Sequence, residues 1–197
     1  MELICSLSSG YARKVRILAH EFGLADQMTI TVVAPRESSD YLWQFNPLGK
    51  VPTFRNGDVV LYDSQVIAEY LVETYRPEWM LSTGLDRWQS KTRLSMLNGL
   101  SDAASTLRKA ITETPPNQAG VALQMGKIER TLQHIEATWD GLESEVSLAT
   151  IALLSAYEWL LVRIPERDWT TIAPRVEQWY QTFKQRPSVE ATPYPAP

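Results

Sequence analysis

Strand-like and helix-like patterns are segregated along this chain. They alternate over the first 75 or so residues, and beyond residue 85 no strand pattern recurs. That restricts the fold to a small α/β domain followed by an all-helical one. Leu3-Ile4-Cys5 is a short apolar run, the mark of a buried strand. Tyr11, Val15, Leu18 and Phe22 then recur at helical spacing, and Gly23 stops that helix. Met28 to Val33 alternates and is rich in β-branched residues, so it reads as a second strand. A strand, a helix and a strand over so short a span imply parallel pairing.

The next part is antiparallel. Asn56-Gly57-Asp58 is a hairpin turn joining Pro52–Arg55 to Val59–Tyr62. Ser64 stands just before Val66, Ile67, Tyr70 and Leu71, the apolar stripe of a further helix, and so reads as its N-cap. With the intervening segment around Tyr41 to Phe45, the order is βαβ-α-ββα, which is the thioredoxin-like arrangement. Arg76-Pro77-Glu78 breaks the pattern. Two helical stripes follow, Leu94 to Ile111 and Leu123 to Trp139, separated by Thr114-Pro115-Pro116-Asn117. Ile151 to Val162 is nearly all apolar, so a helix buried on every side is expected. Val176, Trp179, Tyr180 and Phe183 mark a last amphipathic helix, stopped before Pro187. The expected domains are 1–76 and 87–197, with 77–86 as linker.

Composition excludes several classes. No apolar run approaches the ~18 residues of a membrane-spanning helix. Met1-Glu2-Leu3-Ile4-Cys5 lacks the basic region of a signal peptide. One cysteine and two histidines make neither an internal disulfide nor a good metal site, which points to the cytoplasm. A net charge of -4 gives no general attraction for nucleic acid. Cys5 reads as core, and Arg13, Lys14 and Arg16 read as a solvated basic face, with pairing of one of them across the domains as the alternative.

The most informative stretch is Asn46-Pro47-Leu48-Gly49-Lys50-Val51-Pro52-Thr53-Phe54. A proline at the head of a strand has no N–H for the ladder. In a thioredoxin-like domain the proline at this place is cis, and the backbone of the residue before it faces a ligand. An extended peptide can therefore pair with Val51.

This stretch resembles the asparagine-proline-leucine-glycine-lysine-valine-proline segment of the glutathione S-transferase family. Leu61-Tyr62-Asp63-Ser64-Gln65-Val66-Ile67 is similar to that family's acidic-serine element. Ser6 to Arg16 resembles the opening of the first helix in bacterial serine-type members, and Ser95 to Ala103 their fourth-helix segment. The resemblance spans essentially the whole chain. Gly10, Leu7, Asn98 and Thr150 depart from the pattern; proline is frequent in the family at the first two positions and aspartate at the last two.

The resemblance implies a glutathione S-transferase fold with glutathione as co-substrate, no prosthetic group, no metal and a homodimer. It implies that Ser64 receives the γ-glutamyl carboxylate, with Asp63 near the ammonium. Lys50 faces the glycyl carboxylate, and Val51 and Pro52 hold the peptide. It makes Ser9, near the start of the first helix, the catalytic residue: its hydroxyl donates to the glutathione thiolate, and the helix dipole acts in the same direction. Ser6 and Ser8 lie close by. An apolar electrophile is expected near Leu7, Met96 and Gly99, with Trp88 a further candidate. Two other readings remain: a protein-binding module of the same fold without turnover, and a glutathione-dependent peroxidase or disulfide reductase.

Overall fold

The structure is a computed structural model that describes residues 1–34, 40–79, 85–139 and 146–196. It divides into two compact units, Met1–Met80 with Ala191–Pro195, and Leu81–Glu190 with Ala196–Pro197.

The first unit is built on a four-stranded sheet of order β2-β1-β3-β4. Its strands are β1 (Glu2–Cys5), β2 (Thr29–Val32), β3 (Thr53–Asn56) and β4 (Val59–Tyr62). β1 pairs parallel with β2 and antiparallel with β3, and β3 pairs antiparallel with β4. Leu3, Ile4, Cys5 and Phe54 are fully buried at its centre. Each such aliphatic or aromatic side chain is worth about 1.5–3 kcal/mol of burial. β2 is an edge strand and largely exposed, so its β-branched residues serve pairing more than packing.

Helix α1 (Gly10–Glu21) crosses from β1 to β2. It ends where the sequence stops it. Gly23 has φ +68° and its N–H bonds the His20 carbonyl, while the Leu24 N–H reaches back to the Ala19 carbonyl. These two bonds satisfy carbonyls that the last turn leaves open. The hairpin turns on Gly57, φ +59°, with the following Asp58 at negative φ. That is the type II′ pattern, which fits the twist of a hairpin. A one-turn helix α2 (Asp40–Trp43) precedes β3, and α3 (Ser64–Tyr75) follows β4.

Glu2 fastens α2 to the sheet. Thr31 Oγ1 and Tyr41 Oη each donate to Glu2 Oε1 at 2.7 Å, and Arg55 Nη1 donates to Oε2 at 2.8 Å. The Arg55 guanidinium lies 3.9 Å from the Phe45 ring centroid. Burial pushes the Glu2 carboxyl up, but the three donors outweigh it, and the group titrates below its usual value.

The second unit is helical. Its helices are α4 (Leu85–Thr112), α5 (Gln118–Thr138), α6 (Leu148–Arg163), α7 (Trp169–Ile172), α8 (Pro174–Phe183) and α9 (Pro187–Glu190). The α/β unit followed by a helical unit is the class the sequence implied. α6 is buried along most of its length, its last turn less so. A reciprocal cap opens it. The Ser147 N–H donates to Thr150 Oγ1 at 2.8 Å, and the Thr150 N–H donates to Ser147 Oγ at 3.2 Å. Thr150 thus serves where the resemblance led to aspartate. Among the described residues no helix is long and apolar enough to cross a membrane.

Four details differ from the sequence expectation. Leu123 lies on the apolar stripe of α5 but is 56% exposed, while Ile128, Leu132 and Ile135 carry the packing. Pro187 does not merely stop a helix; it opens the single turn of α9, where its missing N–H costs nothing. Ala191–Pro195 group with the first unit, although the sequence reading placed them in the second. Arg13 and Lys14, read as solvated, are buried in the first unit.

The Glu2 cluster has a sign-determined pH dependence. Its carboxyl is depressed on folding, so its contribution is present above the ordinary value of 4.5 and is lost as pH falls through the folded value. The melting-temperature gap between the wild type and Glu2→Gln is expected to be widest near neutrality and to shrink below about pH 4.5. Thermal melts over a pH series check this.

Candidate functional site

The sheet register gathers the site. The β1–β3 ladder pairs Ile4 with Thr53, and the β3–β4 ladder pairs Thr53 with Tyr62. Continued two steps beyond its end, the first ladder sets Ser6 alongside Val51. The second sets Pro52 alongside Asp63, and Val51 alongside Ser64. The loop into α1, the stretch before β3 and the start of α3 therefore meet at one end of the sheet, all within the first unit.

Ser9 is the N-cap of α1, with φ −81° and ψ 120°. Its Oγ accepts from the Ala12 N–H at 3.2 Å, and its carbonyl accepts from the Arg13 N–H at 3.0 Å. Accepting with a lone pair leaves the hydroxyl hydrogen to donate, and among the described residues it has no acceptor. Ser6 and Ser8 hydrogen-bond each other through their hydroxyls at 2.9 Å. That sets Ser9 apart from its neighbours. No acidic residue occupies the first turn of α1, so the positive end of its dipole is not offset by a carboxylate of its own.

The Val51–Pro52 peptide is cis. Val51 lies outside the β3 ladder, and its N–H and C=O make no hydrogen bond among the described residues. Two polar groups of this kind at a surface suit an extended peptide. The loop before them is organised by Asn46, which is buried. Its side-chain amide donates to the Lys50 carbonyl at 2.9 Å and to Thr53 Oγ1 at 3.1 Å. Its side-chain oxygen accepts from the Leu48 N–H at 3.0 Å. Lys50 is exposed and has no ion pair among the described residues.

At α3 the structure corrects the sequence. The N-cap is Asp63, whose Oδ1 accepts from the Gln65 N–H at 2.7 Å; Ser64 is the first helical residue. Asp63 sits at φ +71°, the left-handed region that costs a non-glycine residue about 1–3 kcal/mol. It is the sole non-glycine residue there among those described. Both are capping residue types one place apart, and a positive φ leaves no mark in the sequence. Ser64 is nearly buried, and its hydroxyl makes no hydrogen bond among the described residues.

Leu7 is half-buried in the loop into α1. Met96 and Gly99 lie one turn apart on α4 of the second unit, half-buried and exposed, and Trp88 is exposed on the same helix. Cys5 is fully buried; burial pushes its thiol up, with Arg16 opposing weakly. It therefore serves the core and makes a poor nucleophile. No His, Cys, Asp and Glu grouping among the described residues suits a metal ion. Two participants escaped the sequence reading. Asn46 holds the loop, a role signalled only by its place at the head of the motif. Trp43 packs against Gly49, a contact without any local signal.

Residues 3–79 match the family described as the N-terminal domain of glutathione S-transferase. Along 99% of both chains, the sequence is 29% identical to an uncharacterized GST-like protein, YibF, of Escherichia coli strain K12. It is 36% identical to a stringent starvation protein A homolog of Pasteurella multocida over 63% of this chain and 57% of that one. A glutathione transferase family member from Pseudomonas fluorescens, solved with bound glutathione, has a TM-score of 0.92 at 32% identity over 99% of each chain. The same relative with bound S-(propanoic acid)-glutathione has a TM-score of 0.88 at 31% identity.

Gly49 tests how tightly the loop is set. Its φ is +59°, and a Cβ there would lie 2.6 Å from Trp43 Nε1. Gly49→Ala is expected to cost about 1–3 kcal/mol, from left-handed strain and this collision. Adding Trp43→Ala should recover the collision part and leave the strain. Denaturant melts of the two single variants and the double variant measure both parts.

Proposed function

The chain belongs to the glutathione S-transferase family, and on that premise we propose that it activates the thiol of glutathione and transfers it to a small electrophile. The observation that carries this reading is Ser9. Its hydroxyl caps α1 by accepting, so its hydrogen is left for an anion at the same helix end. A thiolate placed there gains a charge-assisted hydrogen bond and the field of the helix. Ser9 acts neither as nucleophile nor as base.

The rest of the site serves the ligand's backbone. The free N–H and C=O of Val51 pair with the peptide, held in place by Pro52. The Ser64 hydroxyl and the N–H groups opening α3 take the γ-glutamyl carboxylate. Asp63 is near for the ammonium, although one carboxylate oxygen is already engaged by Gln65. Lys50 neutralises the glycyl carboxylate. The sulfur then forms a bond to an electrophilic carbon, and the displaced group departs with the electron pair. Within the first unit, Leu7 is the proposed neighbour of that electrophile.

The similarity to stringent starvation proteins supports one rival, a binding module without turnover. The unpaired groups at Ser9, Val51 and Ser64 favour ligand binding, because a scaffold has no use for them.

Calorimetric titration with reduced glutathione separates the two. The wild type is expected to bind, and Ser64→Ala to weaken binding about tenfold or more. Ser9→Ala should raise the bound thiol's pKa by roughly 1–2 units, since a hydrogen bond to a charged group is worth about 1.5–3 kcal/mol. Absorbance of the bound thiolate against pH reads this. Failure of the wild type to bind at millimolar glutathione would leave the binding module as the surviving reading.

A further inference from the structure

Helix α1 carries a buried charge that the site chemistry does not use. Arg13 is 1% exposed. Its Nε donates to the Thr192 carbonyl at 2.7 Å, across 179 positions of sequence. The guanidinium carbon lies 4.4 Å from the centroid of the Tyr194 ring. Thr192 is fully buried and Tyr194 nearly so. Residues Ala191–Pro195 thus pack into the first unit as one of its own parts.

Burying a guanidinium is expensive unless its donors and its face are engaged; this segment engages the Nε donor and covers the face. The segment suits the task. Thr192 precedes Pro193, which disfavours helix and holds it extended. Pro193 and Pro195 reduce the freedom lost on docking.

Arg13 is also one helical turn from Ser9, and its own N–H bonds the Ser9 carbonyl at 3.0 Å. The same residue therefore grips the segment through its side chain and the cap through its backbone. We propose that Arg13 is a positioning residue and that Ala191–Pro195 complete the glutathione site by fixing the first turn of α1. Held there, Ser9 aims its hydroxyl at the thiolate. This rests on the reading of Ser9 given above.

The test uses the full-length chain with glutathione, reading affinity by calorimetry and the bound thiol's pKa by thiolate absorbance. Arg13→Met is expected to change affinity less than threefold, because the peptide contacts at Val51 and Ser64 remain. It should raise the bound thiol's pKa by about one unit, a tenfold loss in the thiolate-to-thiol ratio. Arg13→Lys, which keeps the charge, should recover part of the shift. In the Ser9→Ala background Arg13→Met should add nothing, since it acts through Ser9.

An unchanged pKa in Arg13→Met, alongside a raised one in Ser9→Ala, overturns the proposal and leaves the transferase reading standing. Additive shifts overturn it as well. No shift in Ser9→Ala brings down both. Should Arg13→Met fail to fold, Tyr194→Leu tests the same idea by amide exchange at Ala12, the N–H capped by Ser9. Faster exchange there supports the proposal, and unchanged exchange overturns it.

Discussion

β3 lies antiparallel against β1, and the site depends on that pairing. Leu3 faces Phe54 across it, both fully buried, so the register is held by the packing of the sheet centre. A slip of one residue would turn Phe54 out of the core. With the register fixed, the exit of β1, the approach to β3 and the exit of β4 share one end of the sheet. Two twelve-residue helices, α1 and α3, start from that end. Their combined polarity faces a region where Val51 contributes peptide groups outside the ladder.

The chemistry is set by what each polar group has left after folding. Ser9 spends a lone pair on its helix and keeps a hydrogen. Asp63 spends one oxygen on the cap of α3, which frees Ser64 from that duty. Asn46 uses both ends of its amide on the loop, so the loop's shape does not depend on a ligand. The strained φ of Asp63 costs stability, and it is found beside the group proposed to receive a carboxylate.

Much of this was legible in the sequence because the signals were local. Gly23 and Gly57 stand where the backbone needs positive φ, and the alternation before Gly57 and the stripe after Ser64 give the element types. The serines of the first loop were indistinguishable in sequence; the Ser6–Ser8 hydrogen bond separates them. Asp63 and Ser64 exchanged roles for want of a dihedral angle. Arg13 and Lys14 were misread for a different reason. A charged pair on a helix reads as solvated unless something covers it, and the cover for Arg13 comes from Thr192 and Tyr194, far along the chain. Leu123 shows the reverse error, an apolar residue in phase with its stripe but left exposed.

The discontinuity of the first unit also orders events during synthesis. The 110 residues of Leu81–Glu190 are translated between its two parts. At about 5–20 residues per second, that is roughly 5–20 s during which the sheet and α1 exist without Thr192 and Tyr194. Over that interval the Arg13 guanidinium stays hydrated. The nascent domain leaves the ribosome as a form that has its strands before it has its last buried ion contact, and only the finished chain closes it.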